Sequence, residues 1–377
     1  MSRVFVEGAY QTNFGELWEC SFKDLLVEAA RGALGKAGVS PKQVDAIYVG
    51  SMLAEQVNDQ GHLGALLSGE LNLSCPAVRV EAACASGGLA VRKGFLAVAS
   101  GIYETVLVVG VEKMTDACIP EVTSGLMGAT DEQESLSGFT FVSIYALMAE
   151  AYKEKYGLRG KELAAVAVKN HYHASLNPRA HYRKRITVDQ VLASRMVCSP
   201  LRILDCSGVT DGAAAIVLSR KKTKVEILGG GVATDSLSLS KRKRFYSMSS
   251  SQKAMQKALK ETGVKRQEID LAEVHDCFTI AEIMALEDLG FYKEGEGRRA
   301  ALRKETWLDG KFPVNTSGGL KACGHPVGAT GVRQIVEIVS QLQGRAGERQ
   351  VKNARIGLCH NVGGSGGTAV VQMLAAR

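Results

Sequence analysis

No Cys-x-x-Cys pair occurs among the nine cysteines of this 377-residue chain. That removes the usual zinc-knuckle and thioredoxin-type spacings. An odd cysteine count in a chain this long points to free thiols rather than a disulfide framework. No stretch approaches the roughly 18–20 apolar residues that a membrane-spanning helix requires. The first residues, MSRVFVEGAYQTNFGE, lack the charged-then-apolar pattern of a secretory signal. The expectation is a soluble, cytoplasmic protein with no membrane association. Proline is scarce at 7 while glycine reaches 41, which suits many tight strand-to-helix turns rather than a linker-rich chain. The net charge of +7 has one dense run, Lys241-Arg242-Lys243-Arg244. No nucleic-acid-binding module accompanies it, so it reads as solvated surface and no nucleic-acid partner is expected.

The length and 46% hydrophobic content allow two well-filled domains. Strand-like runs VDAIYVG (44–50), TVLVVGV (105–111), AAAIVLS (213–219) and ARIGLCHNV (354–362) alternate with helical patterns, which argues for α/β layers. Sliding the chain on itself by 225 positions brings Ala33-Leu34 onto Ala258-Leu259, Gly38-Val39 onto Gly263-Val264, Asp45 onto Asp270 and Val49 onto Val274. Each window reads as a helix with a glycine C-cap, a polar loop and a strand. Each half also carries a strand, a Gly-rich turn and a helix, and closes on a further strand. We therefore expect halves at 1–222 and 223–377, with 116–204 inserted into the first and its core formed by 1–115 and 205–222.

Four loops carry chemistry-bearing residues. Cys84, in RVEAACASGG, follows an apparent strand and starts a helix, where backbone N–H groups lower a thiol's pKa and offer an oxyanion site. A nucleophile and a buried core thiol both remain open. His325, in GLKACGHPVGATG, sits in a turn that could present an imidazole as base, or merely satisfy it in place. His275-Asp276-Cys277-Phe278 ends an apolar strand, where a thiol and an imidazole suit proton transfer; a metal site competes, with no evident third and fourth ligands nearby. Finally, LCHNVGGSGG puts His360 and Asn361 before a turn whose Gly363 and Gly364 N–H groups could complete an oxyanion hole. Alternation allows only one of Cys359 and His360 to face such a site.

In this order and at these spacings the four loops resemble the thiolase superfamily, over essentially the whole chain. The resemblance implies an α/β thiolase fold: two similar βαβαβαββ halves in a five-layered αβαβα core, with an inserted loop domain. It implies acyl transfer between coenzyme A thioesters through Cys84, activated by His325, with no metal or other cofactor. His275-Asp276-Cys277-Phe278 stands where commoner thiolases have Asn-Glu-Ala-Phe, and His360-Asn361-Val362 where they have Cys-x-Gly. Both departures resemble the sterol-carrier-protein-type branch, which makes Cys277 the acid/base cysteine, with His275 beside it. The resemblance gives Ser207 and Gly208 contacts to CoA. Within that branch, runs such as GELWECSFKDLLVEA, GVEKMTD and PLRILDCSGVTDGAAA are most similar to the archaeal-type members. These condense two acetyl-CoA to acetoacetyl-CoA for 3-hydroxy-3-methylglutaryl-CoA and mevalonate synthesis. They imply a homodimer or dimer of dimers, in complex with 3-hydroxy-3-methylglutaryl-CoA synthase and a small OB-fold protein. A non-catalytic carrier of acyl-CoA or lipid is the alternative.

Overall fold

A computed structural model describes residues 2–377. Its strands are β1 (Val4–Gln11), β2 (Ala46–Gly50), β3 (Ala77–Val80), β4 (Thr105–Glu112), β5 (Met196–Cys198), β6 (Leu201–Arg202), β7 (Gly212–Ser219), β8 (Val225–Thr234), β9 (Leu271–Glu273), β10 (Ile356–Gly363) and β11 (Thr368–Ala376). Strands β5 and β6 form a small ribbon. The other nine join in the order β3-β2-β4-β7-β1-β8-β11-β10-β9. The seam between β1 and β8 is narrow, with only Val4 opposite Ile227 and Phe5 opposite Glu226. The sheet is thus two leaves, one from each half of the chain, meeting along one short edge.

Side-chain alternation gives both faces of each leaf a core. On β4, Leu107, Val109 and Val111 pack outward against the helix Phe22–Ala37 with Leu25, Leu26 and Ala29. Val106 and Val108 turn inward to Val91, Phe95, Val332 and Ile335, on the helices Ser86–Ala99 and Thr330–Leu342. On the second leaf, Val371 and Met373 face Met255 and Ala258 of the helix Ser249–Thr262. The layers therefore run helix, leaf, paired central helices, leaf, helix, the αβαβα order that the resemblance implied.

The repeat extends to individual hydrogen bonds. Helices Phe22–Ala37 and Ser249–Thr262 both end on a left-handed glycine, Gly38 at φ 65° and Gly263 at φ 70°. Asp45 then accepts from the N–H groups of Glu104 and Thr105, at the start of β4. Its counterpart Asp270 accepts from Arg355 and Ile356, at the start of β10. Residues 116–204 supply mostly helices, the longest being Phe141–Tyr156 and Gly160–Ser175, which lie against the second half's helix Thr279–Asp288. Among the described residues no helix is long and apolar enough to cross a membrane.

Candidate active site

Cys84 sits on a tight elbow between β3 and the central helix Ser86–Ala99. Ala83 adopts φ 52°, a costly conformation for a residue with a Cβ. The Ser86 hydroxyl holds it there, donating to the Ala83 carbonyl at 2.6 Å while accepting from the Ala82 N–H at 2.9 Å. His325 precedes the other central helix, and His275 follows β9. The thiol and the two imidazoles converge, one potential ligand atom of each lying within 4.8 Å of the others. The two rings meet edge to face, with centroids 5.1 Å apart.

Neighbouring groups give the two histidines opposite tautomers. The Thr330 hydroxyl donates to the Pro326 carbonyl at 3.0 Å, so at 2.7 Å it accepts from His325 Nδ1–H, and His325 Nε2 is left as a bare base. Asn361 works in the other sense. Its Oδ1 accepts the Gly88 N–H at 3.1 Å, which fixes the amide orientation because a backbone N–H only donates. Asn361 Nδ2 therefore donates, at 3.0 Å to the Cys84 carbonyl and at 3.2 Å to His275 Nδ1. His275 must then carry its proton on Nε2, which is buried without a partner. One histidine offers an acceptor and the other a donor.

Burial dominates the electrostatics. It pushes the Cys84 thiol up to about 12, although the N–H groups of Gly364 and Cys84 itself favour the thiolate. The lowering expected of a helix N-terminus is thus outweighed in the resting site, because the sulfur is sealed from water. Burial lowers His325 to about 3 and holds His275 well below its ordinary value, helped by its neighbour His325. Cys277 is buried and raised well above the usual thiol range, first by desolvation and then by Cys84, while the Tyr145 hydroxyl facing it acts in the other direction.

Of the other expected residues, Gly363 and Gly364 lie against the Cys84 elbow. A Cβ on Gly363 would stand 2.3 Å from the Ala82 carbonyl oxygen, and Gly364 has φ 61°. Ser207 donates its N–H to the Cys277 carbonyl at 2.9 Å, and Gly208 lies under the Tyr182 hydroxyl. His360 is not in the group. Alternation along β10 turns it to the outer face, where Nε2 pairs with the Ser251 hydroxyl at 2.8 Å and burial lowers it to about 3. Asn361 takes the inward place instead. Cys359 packs in the central core beside neither imidazole.

The chain matches the thiolase N-terminal domain profile over residues 4–222 and the thiolase C-terminal domain-like profile over residues 231–376. The chain belongs to the thiolase family. It is therefore an acyltransferase of the thiolase type. It is 47% identical to the acetyl-CoA acetyltransferase of Methanothermobacter thermautotrophicus, with both chains covered in full. It is 33% identical to sterol carrier protein 2 of Gallus gallus, covering 99% of this thiolase and 72% of that protein. Among solved structures, the Ltp2-ChsH2(DUF35) aldolase superposes at TM-score 0.83 and 22% identity, covering 99% of this chain and 98% of that one. The acetyl-CoA acetyltransferase of Syntrophomonas wolfei superposes at 0.78 and 22%, covering 100% and 99%.

Two residues of this thiolase's site, Thr330 and Tyr145, went unmarked in the sequence, and Asp276 was read only as a member of its loop. Thr330 was detectable, since a hydroxyl five residues after His325 can reach back from the helix start. Tyr145, 0% exposed in the inserted segment, gave no local signal. Asp276 fixes the His275–Cys277 loop by accepting from Asn170 Nδ2 at 2.7 Å and the Leu320 N–H at 2.6 Å.

Proposed function

We propose that this thiolase is an acetyl-CoA C-acetyltransferase, condensing two acetyl-CoA to acetoacetyl-CoA and CoA through an acetyl thioester on Cys84, and running the reverse thiolysis. The observation that carries the reading is the pair of opposed tautomers around one buried thiol. His325 Nε2 takes the Cys84 proton as sulfur attacks the acetyl carbonyl. The tetrahedral oxyanion lies within reach of the Gly364 and Cys84 N–H groups. The departing CoA thiolate takes its proton from Cys277, which leaves a Cys277 thiolate and a protonated His325. That thiolate then removes an α-proton from the second acetyl-CoA, while His275 Nε2–H donates to the enolate oxygen. Attack on the acetyl group expels Cys84, which recovers its proton from His325. Protons balance with no metal or redox group. In this reading Ser207 and Gly208 contact the pantetheine arm, which the Ser207 N–H bond to the Cys277 carbonyl at 2.9 Å supports.

The curated relatives named acetyl-CoA acetyltransferase support the acetyl substrate. We place the enzyme in the cytoplasm as a homodimer or dimer of dimers, supplying acetoacetyl-CoA to 3-hydroxy-3-methylglutaryl-CoA synthase and mevalonate formation. A complex with that synthase and a small OB-fold protein belongs to the same reading; the aldolase of similar fold is described with a DUF35 partner. Two observations favour other readings. Relatives named as sterol carriers favour acyl-CoA binding without turnover. The Cys84, His275 and His325 trio also has the ligand types for a thiophilic cation. Intact-protein mass spectrometry after brief exposure to acetyl-CoA, in chelator, separates the three. An acetyl group mapped to Cys84 and absent from Cys84→Ala supports the transferase. CoA binding without any adduct would favour the carrier, and an adduct that forms only when metal is restored would favour the cation.

A further inference from the structure

The basic run at 241–244 is not uniform. Lys241, Lys243 and Arg244 are exposed, whereas Arg242 is 9% exposed and turns inward. The acidic groups that act on it, Asp235, Tyr145 and Glu134, form no direct bond to it, and its partners are backbone carbonyls and one hydroxyl. Its Nη1 donates to the Ser365 carbonyl at 2.5 Å and Nη2 to the Ser365 hydroxyl at 3.2 Å. Nε and Nη2 also grip the Ser236 carbonyl at 3.0 and 2.8 Å. A guanidinium withdrawn from water and bound to carbonyls needs a reason, because a surface arginine would avoid the desolvation cost.

The turn that it holds supplies the reason. Ser365 C=O and Gly366 N–H belong to one peptide unit, and that N–H donates to the Gly363 carbonyl at 3.2 Å. Gly363 C=O and Gly364 N–H belong to the next unit along this hydrogen-bond chain. Gly363 is pressed against the Cys84 elbow, where a Cβ would stand 2.3 Å from the Ala82 carbonyl oxygen, and the Gly364 N–H favours the Cys84 thiolate. Positive charge at Arg242 therefore stands at one end of a polarised hydrogen-bond chain, with the nucleophile at the other. Two further ties fix the turn. The Tyr145 hydroxyl donates to Gly364 C=O at 3.1 Å, and the Ser250 hydroxyl to Gly366 C=O at 2.6 Å.

We propose that Arg242 is a positioning residue for acyl transfer, orienting and polarising the Gly363–Gly366 turn so that the Gly364 N–H stabilises negative charge at Cys84 and at the oxyanion formed on it. The proposal rests on Cys84 being the acyl carrier. Negative charge on Cys84 also answers to Glu112, Glu81, Cys277, Tyr145, His275 and His325. The test therefore varies Arg242 alone and reads a rate at one pH.

The experiment is rapid-quench mass spectrometry of Cys84 acetylation by acetyl-CoA in full-length wild type, Arg242→Lys and Arg242→Gln, with folding checked by thermal melting. Gln keeps a donor for the Ser365 carbonyl and loses the charge; Lys keeps charge as a point donor. We expect the maximal acetylation rate to fall about 30- to 100-fold in Arg242→Gln and about three- to tenfold in Arg242→Lys, on the scale of a weakened oxyanion donor. Half-saturation by acetyl-CoA should stay within about threefold, since the turn is aimed at the reacting atoms. A folded Arg242→Gln that acetylates at the wild-type rate would overturn the proposal, as would Arg242→Lys no faster than Arg242→Gln. Should Arg242→Gln not fold, Arg242→Lys decides: an unchanged rate overturns the proposal, and the expected loss at unchanged half-saturation supports it. Wild type that takes no acetyl on Cys84 would instead remove the reading on which it rests.

Discussion

Burial moves Cys84 and His325 in opposite directions, up to about 12 and down to about 3, so the resting pair is an uncharged thiol beside an uncharged imidazole. A thiol is neutral below its pKa and an imidazole is neutral above its own. Across the intervening range neither group titrates in the free enzyme. The pH profile of kcat/KM for acetyl-CoA, which reports free-enzyme groups, should therefore show no protonation limb near the ordinary histidine value of about 6.5. Burial pushes Asp276 up to about 7, so a clear fall centred there means that His325 is open to water only where it persists in Asp276→Asn. Asn361 gives a second test. Asn361→Asp still accepts from the Gly88 N–H but can no longer donate to the Cys84 carbonyl or to His275 Nδ1. His275 is then free to take the other tautomer. A kcat loss of about a hundredfold is expected in steady-state assays, comparable to losing one oxyanion-type donor. A loss under about threefold would show that the tautomer of His275 is immaterial.

At the scale of elements, the two central helices meet through glycine. A Cβ on Gly87 would lie 2.4 Å from the Gly328 carbonyl oxygen, and one on Gly331 would lie 2.1 Å from the Gly88 backbone nitrogen. The contact sets the spacing of the helices that follow Cys84 and His325. Gly331→Ala should push them apart, costing about 3 kcal/mol by denaturant titration, at the upper end of overpacking penalties, and slowing Cys84 acetylation with it. An unchanged midpoint would show that the crossing is slack. Much of this level was readable beforehand. Strands at 46–50, 105–112, 212–219 and 356–363, and the Gly38 and Gly263 caps, rest on local patterns that survive folding. Strands β1 and β8 were not read, although they form the seam between leaves. The Gly-rich helix starts were visible too, yet their reason was not, because it lies in a partner far along the chain.

At the scale of the molecule, the site belongs to neither half. Cys84 comes from the first half, and His275, His325 and Asn361 come from the second. Each loop announced itself by residue type; which side chain turned inward depended on strand register and on partners from the other half. Hence His360 and Arg242 read differently in sequence and in space. Glu112 is the clearest case of such a hidden partner, being 0% exposed at the end of β4. One carboxylate oxygen accepts from the Ser51 hydroxyl at 2.8 Å and the Leu53 N–H at 2.9 Å. The other accepts from Met52 and, across the halves, from Gly328, both at 2.9 Å. Burial raises its pKa, yet all four of these neighbours donate, so the ionised form fits the geometry best. In Glu112→Gln, one orientation turns the new NH2 on Ser51 and Leu53, the other on Met52 and Gly328. Either way at least one buried backbone N–H loses its acceptor, and a cost of about 2–4 kcal/mol is expected. The packed central helices and the Asn361 contacts to Gly88 and Cys84 still join the halves in the variant, so calorimetry should show one transition, moved to lower temperature. Two separated transitions would mean that the halves unfold independently, and an unmoved one that the staple carries no stability.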